Sequence, residues 1–152
     1  TANLGIPILG KILPFVGALP IPRKIHEKEA LFTAMHTLVQ THSITIYPEA
    51  HLWPYYTGIR PLPISSFKFP VQDNVPSFTM TTTYQKRKLG KRPKITIYID
   101  GPFYPDNLPT RKEQAISLRD KIYNKMTLRS KNSTYSYIKY EKRIDDDKDN
   151  NL

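Results

Sequence analysis

At 152 residues and 39% hydrophobic content the chain has material for one domain with a real core, and too little for two independent ones. It contains no cysteine, which excludes a disulfide framework, thiolate nucleophiles and zinc–thiolate centres and favours the cytosol. Its net charge of +10 gives long-range attraction for polyanions such as nucleic acid, anionic lipid headgroups or phosphorylated small molecules, and no apolar run has the roughly 18 residues of a membrane-spanning helix.

In chain order, residues 6–15 carry an apolar surface with one lysine, expected as a short helix pressed against a sheet or lying shallowly on a membrane. Gly5, Pro7, Gly10, Pro14, Gly17 and Pro20 punctuate the region and give it none of the layout of a signal peptide. The chain starts at Thr1 in mid-pattern, from which missing N-terminal sequence is expected. Residues 18–23 are expected to be extended, because each proline pushes its predecessor out of the helical region, and Arg23 then stands at a strand end. Leu31, Ala34, Met35 and Leu38 recur at i, i+3, i+4 and i+7 and predict a helix over 27–41. A turn at His42–Ser43 leads to a β-branched run at 44–47, so the order strand, helix, strand predicts a parallel crossover unit.

Six prolines between Pro48 and Pro76 exclude a long regular element and predict a structured loop with a short helix near 64–69. Residues 75–84 and 94–100 read as strands, the second alternating apolar and polar residues with period two, joined by a basic solvated turn around Gly90. Thr110 and Glu113 have capping-box spacing ahead of Ala115, Leu118, Ile122 and Met126, which mark one face of a second amphipathic helix. From Lys131 the chain turns polar and ends in the run Asp145-Asp-Asp-Lys-Asp-Asn-Asn, so 1–130 are expected to form the domain and 131–152 a solvated, disordered tail. The fold class expected is α/β, a mixed sheet flanked by helices.

The residues that can carry chemistry cluster around residues 44–60. A β-branched run that breaks at Pro48 and at once presents Glu49, His51 and Trp53 places polar groups at the mouth of a sheet, where open α/β folds hold their ligands. Glu49 can orient a substrate hydroxyl or phosphate-bearing headgroup, or cap the next helical turn. His51 titrates near neutrality and is a candidate general base, or a structural residue, since no carboxylate stands at a fixed spacing from it. Arg23 and Arg60 are candidate phosphate ligands, because a guanidinium can fork onto a phosphate with two parallel charge-assisted bonds; the bland alternative for each is a surface arginine. Trp53, Tyr55 and Tyr56 can stack on a flat ligand, sit at a lipid boundary or pack the loop onto the domain. His26, His36 and His42 have weaker claims, and no pair of histidines has metal-ligand spacing.

Three blocks together carry a resemblance. Gly17-Ala-Leu-Pro-Ile-Pro-Arg23 runs from glycine through apolar residues to arginine, Tyr47-Pro-Glu-Ala50 places a glutamate after a proline, and Val75-Pro-Ser-Phe-Thr-Met80 is an apolar strand around a proline. In order and spacing they resemble the second, third and fourth blocks of the glycerolipid acyltransferases, in particular the lysophosphatidate acyltransferases, over residues 4–99. The resemblance implies a glycerol-3-phosphate acyltransferase-like fold, with Arg23 and Glu49 on the glycerol-3-phosphate part of the acceptor and Pro76 shaping the pocket wall. It implies no metal or other cofactor, with a thioester of coenzyme A or acyl carrier protein as co-substrate, a lysophospholipid acceptor, and a cytoplasmic location, peripheral on the inner face of a membrane with an anionic surface.

Two departures qualify it. The Gly-Thr-Arg that follows the glutamate in the family is Ala50-His51-Leu52 here, so the family's arginine has no counterpart at its position, and Arg60 is the candidate substitute. The family's first block, a histidine and an aspartate separated by four residues, is absent: neither His26, His36, His42 nor His51 has an aspartate five positions on. That histidine is the family's base, so this chain is expected to be inactive alone, as a truncated piece or as a degenerate homologue. A non-catalytic lipid- or phosphate-binding module is the second reading. A basic nucleic-acid-binding domain is the third, and it is disfavoured because Lys86-Arg-Lys88 and Lys91-Arg92 come with no recognition helix, phosphate loop or stacking motif.

Overall fold

The computed structural model describes residues 27–49 and 53–141. The first helix among the described residues, α1, covers Glu27–Val39, close to the predicted span; the short helix expected at 6–15 lies outside the described residues. A 3-10 turn over Ile64–Phe67 runs directly into α2, Lys68–Asp73, where the sequence places a short helix. Asn74 ends α2 in the left-handed conformation that its short polar side chain tolerates, and the Val75 N–H closes the turn on the Pro70 carbonyl at 3.0 Å. The strands β1, Ser77–Gln85, and β2, Lys94–Phe103, form an antiparallel hairpin, and the 20-residue helix α3, Arg111–Ser130, packs across it. These elements make an α/β arrangement of a two-stranded antiparallel sheet and three helices.

The start of α3 follows from local chemistry. The Glu113 N–H donates to the Thr110 hydroxyl at 3.2 Å, while the Glu113 carboxylate accepts from the Thr110 N–H at 3.1 Å, so two orphan donors of the first turn are satisfied. Ala115, Leu118 and Ile122 on the next turns are buried and meet Leu62, Phe67 and Val71 from the proline-rich loop and α2, which together are the core. Phe32 of α1 stacks on Phe69 of α2 at 4.6 Å. His36 Nδ1 lies 2.6 Å from Asp73 Oδ1, tying the same two helices together at the surface.

Register fixes which face of the hairpin looks inward. Thr79, Thr81 and Thr83 stand opposite Asp100, Tyr98 and Thr96 and share a face with them. Asp100 receives two bonds from Arg129 of α3, Nε to Oδ2 at 2.9 Å and Nη2 to Oδ1 at 2.7 Å, and the same guanidinium lies 4.9 Å over the Tyr98 ring. The threonine face is therefore the one covered by α3, and the isoleucines of β2 point the other way. At the far end of the ladder the register slips between Ser77 and Thr79. Gly101 sits opposite that slip with φ +142°, where an added Cβ would come within 2.9 Å of the Ser77 carbonyl oxygen, so the close approach of the strands needs glycine.

The run 44–47, expected as a strand, joins no sheet among the described residues, and Tyr47 is 83% exposed. A strand is defined by its ladder, and a β-branched run without a hydrogen-bonding neighbour is only extended backbone. The segment 18–23 that would pair with it lies outside the described residues, and no parallel pair occurs among them. Residues 131–141, the beginning of the expected tail, run back along the hairpin. The Tyr84 carbonyl accepts from the Thr134 and Tyr135 N–H groups at 2.9 and 3.2 Å, and the Tyr84 N–H donates to the Ser133 hydroxyl at 3.2 Å. This stretch thereby caps the outer edge of β1 at its end, and the acidic run beyond it lies outside the described residues.

Candidate functional site

The loop after α1 brings two of the four candidate residues together. Glu49 and Arg60, 11 positions apart, are both half-buried, and the Arg60 N–H points at the Glu49 carboxylate with 3.4 Å to Oε2. The Arg60 guanidinium donates through Nη1 to the Glu49 carbonyl at 3.5 Å and lies 4.7 Å over the Trp53 ring. Cation and carboxylate are thus held side by side by the main chain and an indole face. Burial raises the Glu49 pKa above its ordinary value, and the Arg60 N–H and guanidinium only partly oppose the rise. Among the described residues the partner of Glu49 is Arg60; the helical turn that Glu49 was alternatively expected to cap would begin at residues 50–52, outside the described residues.

Aromatic side chains hold this loop in place. Trp53 stacks on Tyr140 with ring centroids 5.0 Å apart and meets Tyr56 edge-on at 5.2 Å. Tyr55 adopts φ +59°, a left-handed conformation costly for a bulky residue, and in exchange its ring contacts Tyr137 at 4.8 Å and Tyr84 at 5.5 Å. The Tyr140 hydroxyl donates to the Pro54 carbonyl at 2.8 Å. Burial, Tyr55, Tyr140 and Glu49 together push the Tyr84 pKa up. Beside the Trp53–Tyr140 stack lies a depression of about 280 Å³, lined by Tyr56, Thr57, Ser136, Ile138, Lys139, Tyr140 and Glu141; neither Glu49 nor Arg60 lines it.

The other candidates fall elsewhere. Arg23 and His51 lie outside the described residues, as does His26. His36 has the carboxylate partner Asp73 that no sequence spacing indicated, and this pair joins α1 to α2. His42 is exposed, its Nδ1 2.7 Å from the Thr41 hydroxyl. Pro76 is exposed ahead of β1 and does not line the depression. Among the described residues no group of three His, Asp or Glu side chains could hold a metal ion, and no helix is long and apolar enough to cross a membrane.

Sequence reasoning missed Lys139, Tyr140 and the edge that Ser133–Tyr135 provide, since this stretch reads as polar. Tyrosines at 135, 137 and 140 within it were the available signal, because a tail held only by solvent has no need of aromatic rings. Comparison with known proteins found no matching family model, no matching curated protein and no matching solved structure.

Proposed function

We propose that the chain supplies the acceptor-binding part of a glycerolipid acyltransferase, and that the Glu49–Arg60 loop binds the phosphorylated glycerol headgroup of a lysophosphatidate-like acceptor. The convergence of Arg60 on Glu49 carries the reading: a guanidinium beside a half-buried carboxylate suits a phosphate next to a hydroxyl. The resemblance of the three sequence blocks supports the family, the mixed-sheet acyltransferase fold, Arg23 as a further headgroup contact, and a thioester of coenzyme A or acyl carrier protein as donor; His51, from its place in the same loop, is the remaining candidate substrate contact. In that enzyme the acyl group passes from the thioester to the free hydroxyl of the acceptor, and a base removes the hydroxyl proton.

No histidine of this chain has the family's aspartate five positions on, which favours a second reading of the same site, a phosphate-headgroup-binding module without acyl transfer. Calorimetric titration with a short-chain lysophosphatidate, kept below its micellar concentration, tests the site. Arg60→Ala should weaken binding roughly 10- to 100-fold, the loss expected for a charge-assisted hydrogen bond to phosphate. An unchanged affinity would remove the proposal. Phosphatidate formation from the same acceptor and an acyl thioester then separates the two readings.

A further inference from the structure

The face of the hairpin turned away from α3 is apolar, and no described element covers it. Phe78 and Met80 of β1 are each 60% exposed, and Ile95, Ile97 and Ile99 of β2 are 53%, 51% and 67% exposed. They form one stripe, because Met80 stands opposite Ile99, Thr82 opposite Ile97 and Tyr84 opposite Ile95. Tyr84 sends both its N–H and its carbonyl outward to 133–135, so these are the pairs without mutual hydrogen bonds, in which opposed side chains come closest. The stripe ends at the connector, where Leu89 is 88% exposed.

Around Leu89 stand Lys86, Arg87, Lys88, Lys91, Arg92 and Lys94, all exposed, and no acidic residue occurs between Ser77 and Ile99. The ion pairs among the described residues use none of these six cations. An apolar band continuous with a cationic tip that no described carboxylate neutralises calls for a partner that is apolar beneath and anionic on top. An anionic lipid bilayer has that layering, with acyl chains under acidic headgroups.

The side chains choose among polyanions. Nucleic acid bound without sequence preference is gripped by aromatic platforms on which bases stack, whereas this stripe is mostly isoleucine and methionine. A second copy laid face to face would bring two sets of six cations into one interface, a like-charge cost with nothing on the hairpin to offset it. We infer that the β1–β2 hairpin docks on an anionic membrane surface, with Leu89 and the stripe of Phe78, Met80, Ile97 and Ile99 at the acyl boundary and the connector cations on the headgroups. The inference stands on the hairpin alone, whatever the Glu49–Arg60 loop binds.

Because the chain has no cysteine, single Leu89→Cys and Ile97→Cys variants can each carry one environment-sensitive fluorophore, with Asn107→Cys as a reference on another surface. With vesicles of phosphatidylcholine and 30% phosphatidylglycerol, the labels at 89 and 97 should shift to the blue and the label at 107 should not; with pure phosphatidylcholine none should shift. Replacing Lys86, Lys88 and Lys91 together by glutamine should weaken sedimentation with the anionic vesicles on the order of 100-fold, about fivefold for each cation. Far-UV circular dichroism of each variant confirms that the exposed substitutions leave the fold intact.

Four results would overturn the inference. They are a label at 97 already buried without lipid at every protein concentration, which means another part of the chain covers the face; burial that grows with protein concentration, which means a second copy does; vesicle binding indifferent to the lysines; and vesicle binding that leaves both hairpin labels in water.

Discussion

Replacing Thr81 by valine should stabilise the protein. Thr81 of β1 is fully buried on the face under α3, and its hydroxyl has no hydrogen-bond partner among the described residues. A buried hydroxyl without a partner costs about 1–3 kcal/mol, and valine has the same branched shape with a methyl in place of the oxygen. Valine also keeps the β-propensity of the position, so a net gain of about 1 kcal/mol is expected after part of the apolar benefit is shared by the unfolded chain. For a chain of this length that corresponds to a rise of about 2–4 °C in Tm. Thr83, on the same face and equally buried, is the internal control: its hydroxyl donates to the Thr96 carbonyl at 3.1 Å and accepts from Gln85 Nε2 at 2.8 Å. Thr83→Val strips both bonds and should cost about 1–2 kcal/mol. Urea unfolding followed by circular dichroism, with equal m values in all three proteins, reads both effects. If Thr81→Val is no more stable than the parent, or if both valines act alike, the assignment of which hydroxyls are satisfied is wrong.

Leu118 is fully buried at the centre of the core, so Leu118→Ala should lower the unfolding free energy by about 2–5 kcal/mol in the same urea experiment. The Thr110→Ala variant loses the cap of α3 and should cost about 1 kcal/mol, measured by thermal melting. The Arg129 bonds hold Asp100 below the usual carboxylate range, and Lys121 and Ser117 do the same for Asp106. The stabilisation from these depressed groups is present above their unfolded pKa of about 3.9 and is lost as pH falls through the folded values; Asp100→Asn should flatten that acid limb of the Tm–pH curve. Glu49 has the opposite sign, because its folded pKa is raised. Its neutral form favours folding below the unfolded value of 4.5, and that contribution disappears as pH rises through the folded pKa, so Glu49→Gln should match the parent at pH 4 and exceed it at pH 7.

Elements defined by their neighbours in sequence were legible, and those defined by distant partners were not. The repeat of Leu31, Ala34, Met35 and Leu38 locates α1, and the Thr110–Glu113 box locates the start of α3 to the residue. The two strands of the hairpin follow from composition and the glycine-bearing basic turn. Within the candidate site, Glu49 and Arg60 share one proline-stiffened loop, which made their meeting readable. The pairing of Arg129 with Asp100 across 29 positions had no local signal, and neither did that of His36 with Asp73 across 37. The run 44–47 shows the converse: local β preference was present, and the ladder that would make it a strand is not formed among the described residues.

Period-two alternation in β2 says that its two faces differ and leaves open which one is inside, and here charge decides. Asp100 occupies the same face as Tyr98, and a carboxylate next to a helix can be buried only against a cation, which Arg129 of α3 supplies in a two-bond geometry. Once that pair forms, the threonines of β1 are drawn under α3 and the isoleucines must face outward. A hairpin so oriented carries β-branched side chains on both faces, the pattern of strands covered from both sides, and among the described elements one helix covers only one. An uncovered apolar ribbon ordinarily invites edge pairing with its own kind, and runs of lysine and arginine beside it are the usual safeguard. The six cations of the connector therefore act in two ways from one position. Like charge opposes the pairing of two hairpins in water, and in the docking inferred above the same charge draws this face toward a surface whose charge is opposite and whose interior is hydrocarbon.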